Sequence, residues 1–143
     1  MPAGRPTDYS LELAAQICER IGQGESLKSI CTTVGMPSQA SVYLWLTKHT
    51  QFSEMYTRAR EDQADTLADE IIDIADDGSR DYIKQEDGRT VADHDHISRA
   101  RLRVDARKWI AAKLKPKKYG DKLALAGDAS APLTVTVTKF TDA

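Results

Sequence analysis

The sequence predicts a mainly α-helical protein with an N-terminal helix-turn-helix domain, a central helical domain for oligomerisation and a short C-terminal β-strand. Three observations predict this fold class. Apolar residues recur every three to four positions over most of residues 10–114, which is the spacing of one helical face. Gly and Pro residues interrupt this spacing and mark the ends of helices. Only near the C-terminus do apolar and polar residues alternate strictly, as in a strand. The three parts are expected at residues 1–50, 51–122 and 123–143, with a loop or hairpin near 79–95.

Three short helices are expected at about 10–22, 27–34 and 38–48. The first ends at Gly22, and the second ends where Gly35 and Pro37 cannot continue an apolar helical run. Ser26 and Ser38 are placed to cap the second and third helices with their hydroxyl groups. The second and third helices, joined by a sharp turn, are therefore predicted to form a helix-turn-helix.

The third helix has one apolar face and one polar face. Val42 and Trp45 share the face that should pack inward, whereas Gln39, Tyr43 and Thr47 fall on the opposite face. A recognition helix presents such a face to a DNA groove. The spacing alone also fits a helical hairpin that only packs, so both interpretations stay open at this point.

Residues 1–8 are expected to form a flexible arm. Arg5 within it has the charge and the reach to contact a phosphate or the minor groove. A disordered terminus without function explains the same residues equally well.

A long helix is expected at about 51–77, spanning roughly 40 Å at 1.5 Å per residue. Its outer surface is crowded with carboxylates, which we interpret as a solvated or ion-paired face rather than as acid–base or metal chemistry. These residues are Glu61, Asp62, Asp65, Asp69, Glu70 and Asp73.

The period changes between Gly78 and His96, where an Asp-Gly pair between short β-compatible runs suggests a hairpin, with a loop as the alternative. His94 and His96 are interpreted as exposed loop residues, because no further ligand cluster supports a metal site. Cys18 and Cys31 are interpreted as reduced thiols in the core. No metal and no cofactor are expected.

A further helix is expected at about 97–114, with two adjoining apolar stripes that need two partners. One partner is the long helix of the same chain, and the other is a neighbouring subunit. The first stripe holds Ile97, Ala100, Val104, Ala111 and Leu114, and the second holds Leu102, Ala106, Trp109 and Ile110. The residues predicted for oligomerisation are Leu67, Ile71, Ile74, Val104, Trp109 and Ile110.

Charge is distributed very unevenly along the chain, although the net charge is only −2. Residues 51–95 hold five basic and fourteen acidic residues, and residues 96–122 hold ten basic and two acidic residues. We expect these acidic and basic blocks to neutralise each other within or between subunits. Past Pro116 the lysine-rich run should enter a loop, where it either contacts nucleic acid or is simply solvated.

Residues 1–50 hold four basic and four acidic residues, so the predicted DNA-binding part has no charge surplus. A single copy should therefore bind DNA weakly, because phosphate neutralisation supplies most non-specific affinity.

Leu133 to Phe140 alternates between apolar and Thr residues and is predicted to be a strand with no partner in its own chain. An isolated strand is unstable, so this segment either stays disordered or pairs with the same strand of other subunits. In a ring of subunits such strands would close into a small intersubunit barrel.

No apolar run approaches the length of a membrane span, and the N-terminus lacks the apolar core of a signal peptide. We therefore expect a cytosolic protein without a membrane partner. An enzyme is not expected, because the sequence has no phosphate-binding Gly-rich loop, nucleophile elbow or metal cluster.

Two stretches of the sequence resemble the small terminase subunits of tailed double-stranded-DNA bacteriophages. They are AGRPTDY with GMPSQASVYLWLTKH near the start, and RLRVDARKWIAAKLKPKKYGDK at 101–122. The likeness covers most of residues 3–122, including the hairpin-like stretch after Gly78. At Gln39 and Leu44, where the family often has Lys or Arg, this chain has neither.

The resemblance implies a non-enzymatic subunit that binds viral DNA as a homo-oligomeric ring, octameric or nonameric, in the host cell cytoplasm. It also implies delivery of that DNA to the large terminase subunit, which holds the ATPase and nuclease, for packaging into procapsids. A dimeric helix-turn-helix transcription regulator is the alternative. The candidate DNA-binding residues are Arg5, Lys28, Thr33, Ser38, Gln39, Ser41, Tyr43, Thr47 and Lys48.

Overall fold

The computed structural model describes residues 8–122 and 124–138. Within them the elements are α1 Leu11–Gly22, α2 Leu27–Thr32, α3 Gln39–Lys48, α4 Thr50–Asp76, β1 Tyr82–Lys84, β2 Thr90–Ala92, α5 His94–Leu114 and α6 Pro116–Tyr119. The mainly helical fold class is confirmed. The arm with Arg5 and the end of the predicted strand at 139–140 lie outside the described residues.

Helices α1, α2 and α3 form where the sequence predicts them. The hydroxyl of Ser26 accepts a hydrogen bond from the Ser29 amide at 3.1 Å, and Ser38 accepts one from the Ser41 amide at 3.1 Å. Both serines are thus N-caps, as expected. Helix α2 ends two residues before the predicted end at residue 34, so Val34 lies in the turn and is 98% exposed.

The core of the N-terminal half extends past the predicted domain boundary at residue 50. Trp45 is buried as expected, and Phe52 at the start of α4 is fully buried beside it, with ring centroids 6.3 Å apart. Tyr9 meets Trp45 edge-on at 5.4 Å and stacks on His49 at 3.7 Å. Since the aromatic cluster spans the α3–α4 junction, α4 completes the core of the first three helices.

Helix α4 runs over 27 residues, close to the expected range. It packs on α1, and the buried Ala59 belongs to the core that the two helices share. Two of its polar side chains also bond to the chain at and just after the end of α1: Thr66 Oγ1 donates to the Gly22 carbonyl at 2.6 Å, and Gln63 Nε2 donates to the Glu25 carbonyl at 2.9 Å. Its second half packs against α5.

Strands β1 and β2 form the predicted hairpin, with Ile83 opposite Val91. Helix α5 then begins at His94, three residues before the predicted start, because Asp93 caps it by accepting from the His96 amide at 3.1 Å. The interpretation of His94 and His96 as loop residues is therefore wrong, since both lie in the first turn of a helix.

The loop predicted beyond Pro116 is instead the short helix α6, with Pro116 at its first turn, where proline is favoured. A carboxylate on α4 holds this helix in place. Asp65 accepts from Tyr119 Oη at 2.6 Å, from Lys118 Nζ at 2.9 Å and from Lys115 Nζ at 3.0 Å. The acidic surface of α4 is ion-paired at this point, as the sequence predicted.

Within the described residues 124–138, the only strand-like pairing is an isolated β-bridge between Asp128 and Ala131. The predicted strand is not formed over 133–138 within the single chain. Leu133, Val135 and Val137 are 57%, 86% and 82% exposed, so these apolar side chains have no cover from their own chain. Among the helices of the described residues, none is long and apolar enough to span a bilayer.

We predict that Phe52→Ala lowers the free energy of unfolding by about 3–5 kcal/mol, because it empties a fully buried site shared by α3 and α4. Urea unfolding of the full chain, followed by circular dichroism, measures this loss. Val34→Ala at a 98% exposed position is the control and should change stability by less than about 0.5 kcal/mol. Equal losses in the two variants would contradict the packing described above.

We also predict a pH-dependent contribution from Asp65. The hydrogen bonds from Tyr119, Lys118 and Lys115 hold the pKa of this carboxyl well below its ordinary value of 3.8. A lowered pKa in the folded state gives stability that is complete above pH 3.8 and is lost as the pH falls below it.

The stability difference between the natural chain and Asp65→Asn should therefore be largest near neutral pH and shrink in acid. Urea titrations at a series of pH values from neutral to strongly acid would measure it. A difference that stays constant across the whole series would contradict this role of the charge.

Candidate nucleic-acid and subunit interfaces

The exposed face of α3 is the first candidate site. Ala40, Tyr43, Leu44, Thr47 and Lys48 are all exposed and recur at the spacing of one helical face. Val42 and Trp45 on the opposite face are buried. Tyr43 and Leu44 are 54% and 50% exposed, which leaves a largely apolar surface at the centre of the helix.

Several residues predicted to contact DNA also form hydrogen bonds within the fold. Ser38 and Ser41 lie 3.0 Å apart through their hydroxyl oxygens, and Ser38 also caps α3. The Thr33 hydroxyl accepts from Arg20 Nη1 at 3.0 Å, and Gln39 is half-buried. Tyr43 and Thr47 are exposed, where the sequence placed them.

Ala40 and Leu44 share this exposed face but were missing from the predicted set. The helical spacing contained that information, because both fall on the same face as Tyr43 and Thr47. The Thr47 hydroxyl donates to the Leu44 carbonyl at 2.7 Å, so its proton is already used within the helix. The face therefore has more apolar character than its residue types suggest.

Two exposed lysines belong to the helix-turn-helix segment. Lys28 on α2 and Lys48 at the end of α3 are exposed, and neither forms an ion pair among the described residues. Arg20, by contrast, is paired with Glu25, whose carboxylate accepts from its Nε at 2.8 Å and from Nη2 at 2.6 Å. The hydrogen bond from Arg20 lowers the pKa of Glu25, so this pair stays ionised and neutralises itself.

The second candidate site is the outer face of α5. Leu102 and Trp109 are 57% and 64% exposed, and Ile110 is 36% exposed. The Lys113 ammonium lies 5.7 Å from the centre of the Trp109 ring. Of the other predicted oligomerisation residues, Leu67 is buried within its own chain at 6% exposure, whereas Ile71, Ile74 and Val104 are half-buried.

Two open grooves follow the line where α4 meets α5. One has a volume of about 860 Å³ and is lined in part by Ile71, Trp109 and Ala112. The other, of about 270 Å³, is lined in part by Ile74, Ile97 and Val104. The predicted oligomerisation residues other than Leu67 thus lie in or beside surfaces that the single chain leaves open.

The charges of α4 and α5 partly compensate each other inside the chain. Glu70 Oε2 accepts from Arg107 Nε at 2.7 Å, in addition to the contacts of Asp65. Five other basic residues of α5 are exposed and form no ion pair in the described part of the chain. They are Arg99, Arg101, Arg103, Lys108 and Lys113.

Cys18 and Cys31 are both buried in the hydrophobic core, which confirms the predicted core position of the two side chains. Burial raises the pKa of the Cys18 thiol to about 11, so it stays protonated at neutral pH. Residues 8–122 and 124–138 contain no group of three or more His, Cys, Asp or Glu side chains placed to hold a metal ion.

Comparison with known proteins identifies relatives of this arrangement. The family described as "Bacteriophage Sf6, terminase small subunit-like" matches residues 9–126. Crystal structures of three single-substitution variants of the terminase small subunit gp1 of the bacterial virus Sf6 share 36% sequence identity with this chain, each with a TM-score of 0.69. Each match covers 96% of this chain and 98% of the other.

A curated relative, the uncharacterized protein YffO of Escherichia coli strain K12, is 30% identical over 90 residues. That match spans 58% of this chain and 65% of YffO. Since the family match takes in all six helices and the hairpin, the chain belongs to the Sf6 terminase small-subunit-like family.

Proposed function

We propose that this chain is the DNA-recognition subunit of a phage packaging machine. It binds double-stranded viral DNA through α3, assembles into a homo-oligomeric ring through α5, and presents the DNA to a large terminase subunit. The observation that carries the proposal is the pairing of two uncovered surfaces, on α3 and α5, within a member of the terminase small-subunit family.

The DNA-binding step rests on the geometry of the N-terminal half. Helices α2 and α3 are joined by a short turn, and α3 has one buried face and one exposed face. This is the arrangement in which a recognition helix enters the major groove. Lys28 on α2 and Lys48 at the end of α3 are exposed and are proposed as phosphate contacts.

The assembly step rests on apolar exposure. Leu102 and Trp109 leave a large apolar stripe in water on the single chain, and such stripes mark protein–protein contacts. A ring also compensates for the weak DNA affinity expected of a single N-terminal half without surplus positive charge. Once one subunit binds, the others are held near the DNA at a high effective concentration.

In such a ring the exposed apolar residues of 133–138 would pair with the same segment of neighbouring subunits, and closure into a barrel would remove the strand edges. The proposed role of the chain in the host cytoplasm is to bind viral DNA, to assemble into a ring and to deliver the DNA to the large terminase subunit. The ATPase and nuclease chemistry is assigned to the large subunit, so this chain acts without a cofactor and is not an enzyme.

We predict that Trp109→Glu lowers the mass of the assembly, because a carboxylate replaces an exposed apolar anchor of the proposed interface. Light scattering measures the mass across a concentration series. Leu11→Glu, at a position 51% exposed on α1, is the matched control and should keep the mass of the natural chain. A stable dimer in all three proteins would instead favour a dimeric transcription regulator.

We further predict that Lys28→Gln and Lys48→Gln each weaken DNA binding on all sequences alike. The slope of log affinity against log salt should fall by roughly one for each phosphate contact that a subunit loses. Fluorescence anisotropy with labelled duplexes over a range of salt concentrations measures this slope. Lys84→Gln on the exposed hairpin is the control, and an equal change of slope in that variant would argue against a specific role for Lys28 and Lys48.

A further inference from the structure

We propose that α3 reads A·T base pairs, chiefly through apolar contact with the methyl groups of thymine. This inference rests on the proposed DNA-binding function and adds the class of base pair that the helix selects. It follows from which groups α3 leaves available on its exposed face, and from which groups the fold has already used.

The exposed stripe of α3 is unusually poor in charge for a surface that faces DNA. From Gln39 to Lys48 the helix contains no Arg, Asp or Glu, and its single charged residue is Lys48 at the C-terminal end. Lys28 lies on the neighbouring α2. The acid-free helix, together with two exposed lysines that form no ion pair among the described residues, complements a polyanion, which favours DNA over a second protein surface as the occupant.

A G·C pair finds none of its charged hydrogen-bond partners on residues 39–47 of this helix. Guanine is read by Arg or Lys, and cytosine by Asp or Glu, and all four types are missing there. The Ser41 hydroxyl is occupied with Ser38, and the Thr47 hydroxyl proton is donated to the Leu44 carbonyl. Two of the hydroxyl groups that could read either base pair are therefore bonded within the fold.

An A·T pair, in contrast, matches what remains. Ala40 and Leu44 are exposed one helical turn apart, and their methyl groups suit contact with the thymine methyl in the major groove. Gln39 lies next to Ala40 in the first turn of the helix, and its amide is the side-chain type that pairs with adenine. Recognition helices contact base edges with their N-terminal residues, where Gln39 and Ala40 lie, and Leu44 follows on the same exposed face one turn after Ala40.

The test compares duplexes of one A·T-rich sequence that contain either thymine or deoxyuridine, which lacks only the methyl group. Titration of the full-length chain by anisotropy should show weaker binding to the uracil duplex. The loss should be about fourfold for each methyl contact, the equivalent of about 0.8 kcal/mol per buried methylene-sized group. A G·C-rich duplex should also bind more weakly, and replacing its cytosines with 5-methylcytosine should recover affinity.

A matched pair of leucine variants assigns the effect to α3. Leu44→Ala should reduce the difference between the thymine and uracil duplexes, because it removes the side chain that contacts the methyl group. Leu11→Ala changes a leucine of nearly equal exposure, 51% against 50%, and should keep the full difference.

Equal binding of thymine and uracil duplexes, with DNA binding retained, would overturn the inference and leave the proposed function standing. Binding to no duplex would overturn both. A Leu44→Ala variant that keeps the full thymine preference but forms smaller assemblies would also overturn the inference, because α3 would then be a contact between subunits.

Discussion

One helix, α4, packs against both the N-terminal helices and the C-terminal helices. The exposed faces of α3 and α5 follow from these two sets of contacts. The first half of α4 carries Phe52 into the aromatic core, and Gln63 and Thr66 bond to carbonyl groups of Glu25 and Gly22, at and just after the end of α1. Its second half meets α5 and α6 through Glu70 and Asp65. Because α4 serves both halves with its packed surface, the outer faces of α3 and α5 are left without cover from the same chain.

The sequence was sufficient to predict most of the helical architecture. Ser26 and Ser38 signalled the starts of α2 and α3, and a regular apolar period predicted α4. The sequence alone was insufficient where the bounds or position of a helix depend on one capping side chain or on a contact with a residue far away in the chain. Asp93 started α5 early, and α6 owes its position to Asp65, about fifty residues before it on another helix.

The candidate sites were predictable in outline and less so in detail. Helical spacing correctly placed Tyr43 and Thr47 on the exposed face, because exposure follows directly from the period. Spacing does not reveal which polar groups are already bonded, and the structure shows that Ser41 and Thr33, both predicted DNA contacts, also bond within the fold. Spacing also does not separate a buried residue from an interface residue, because both are apolar, and Leu67 is buried within its own chain.

The central claim is that the surfaces left uncovered by a lone subunit, with Trp109 foremost among them, are covered by other copies of the chain. The most direct test is the mass of the unmodified full-length chain in solution, measured by analytical ultracentrifugation over a wide range of concentrations. The account predicts one large species whose mass is a fixed, high multiple of the 15.8 kDa subunit. A single stable species at 15.8 kDa at every concentration would contradict it.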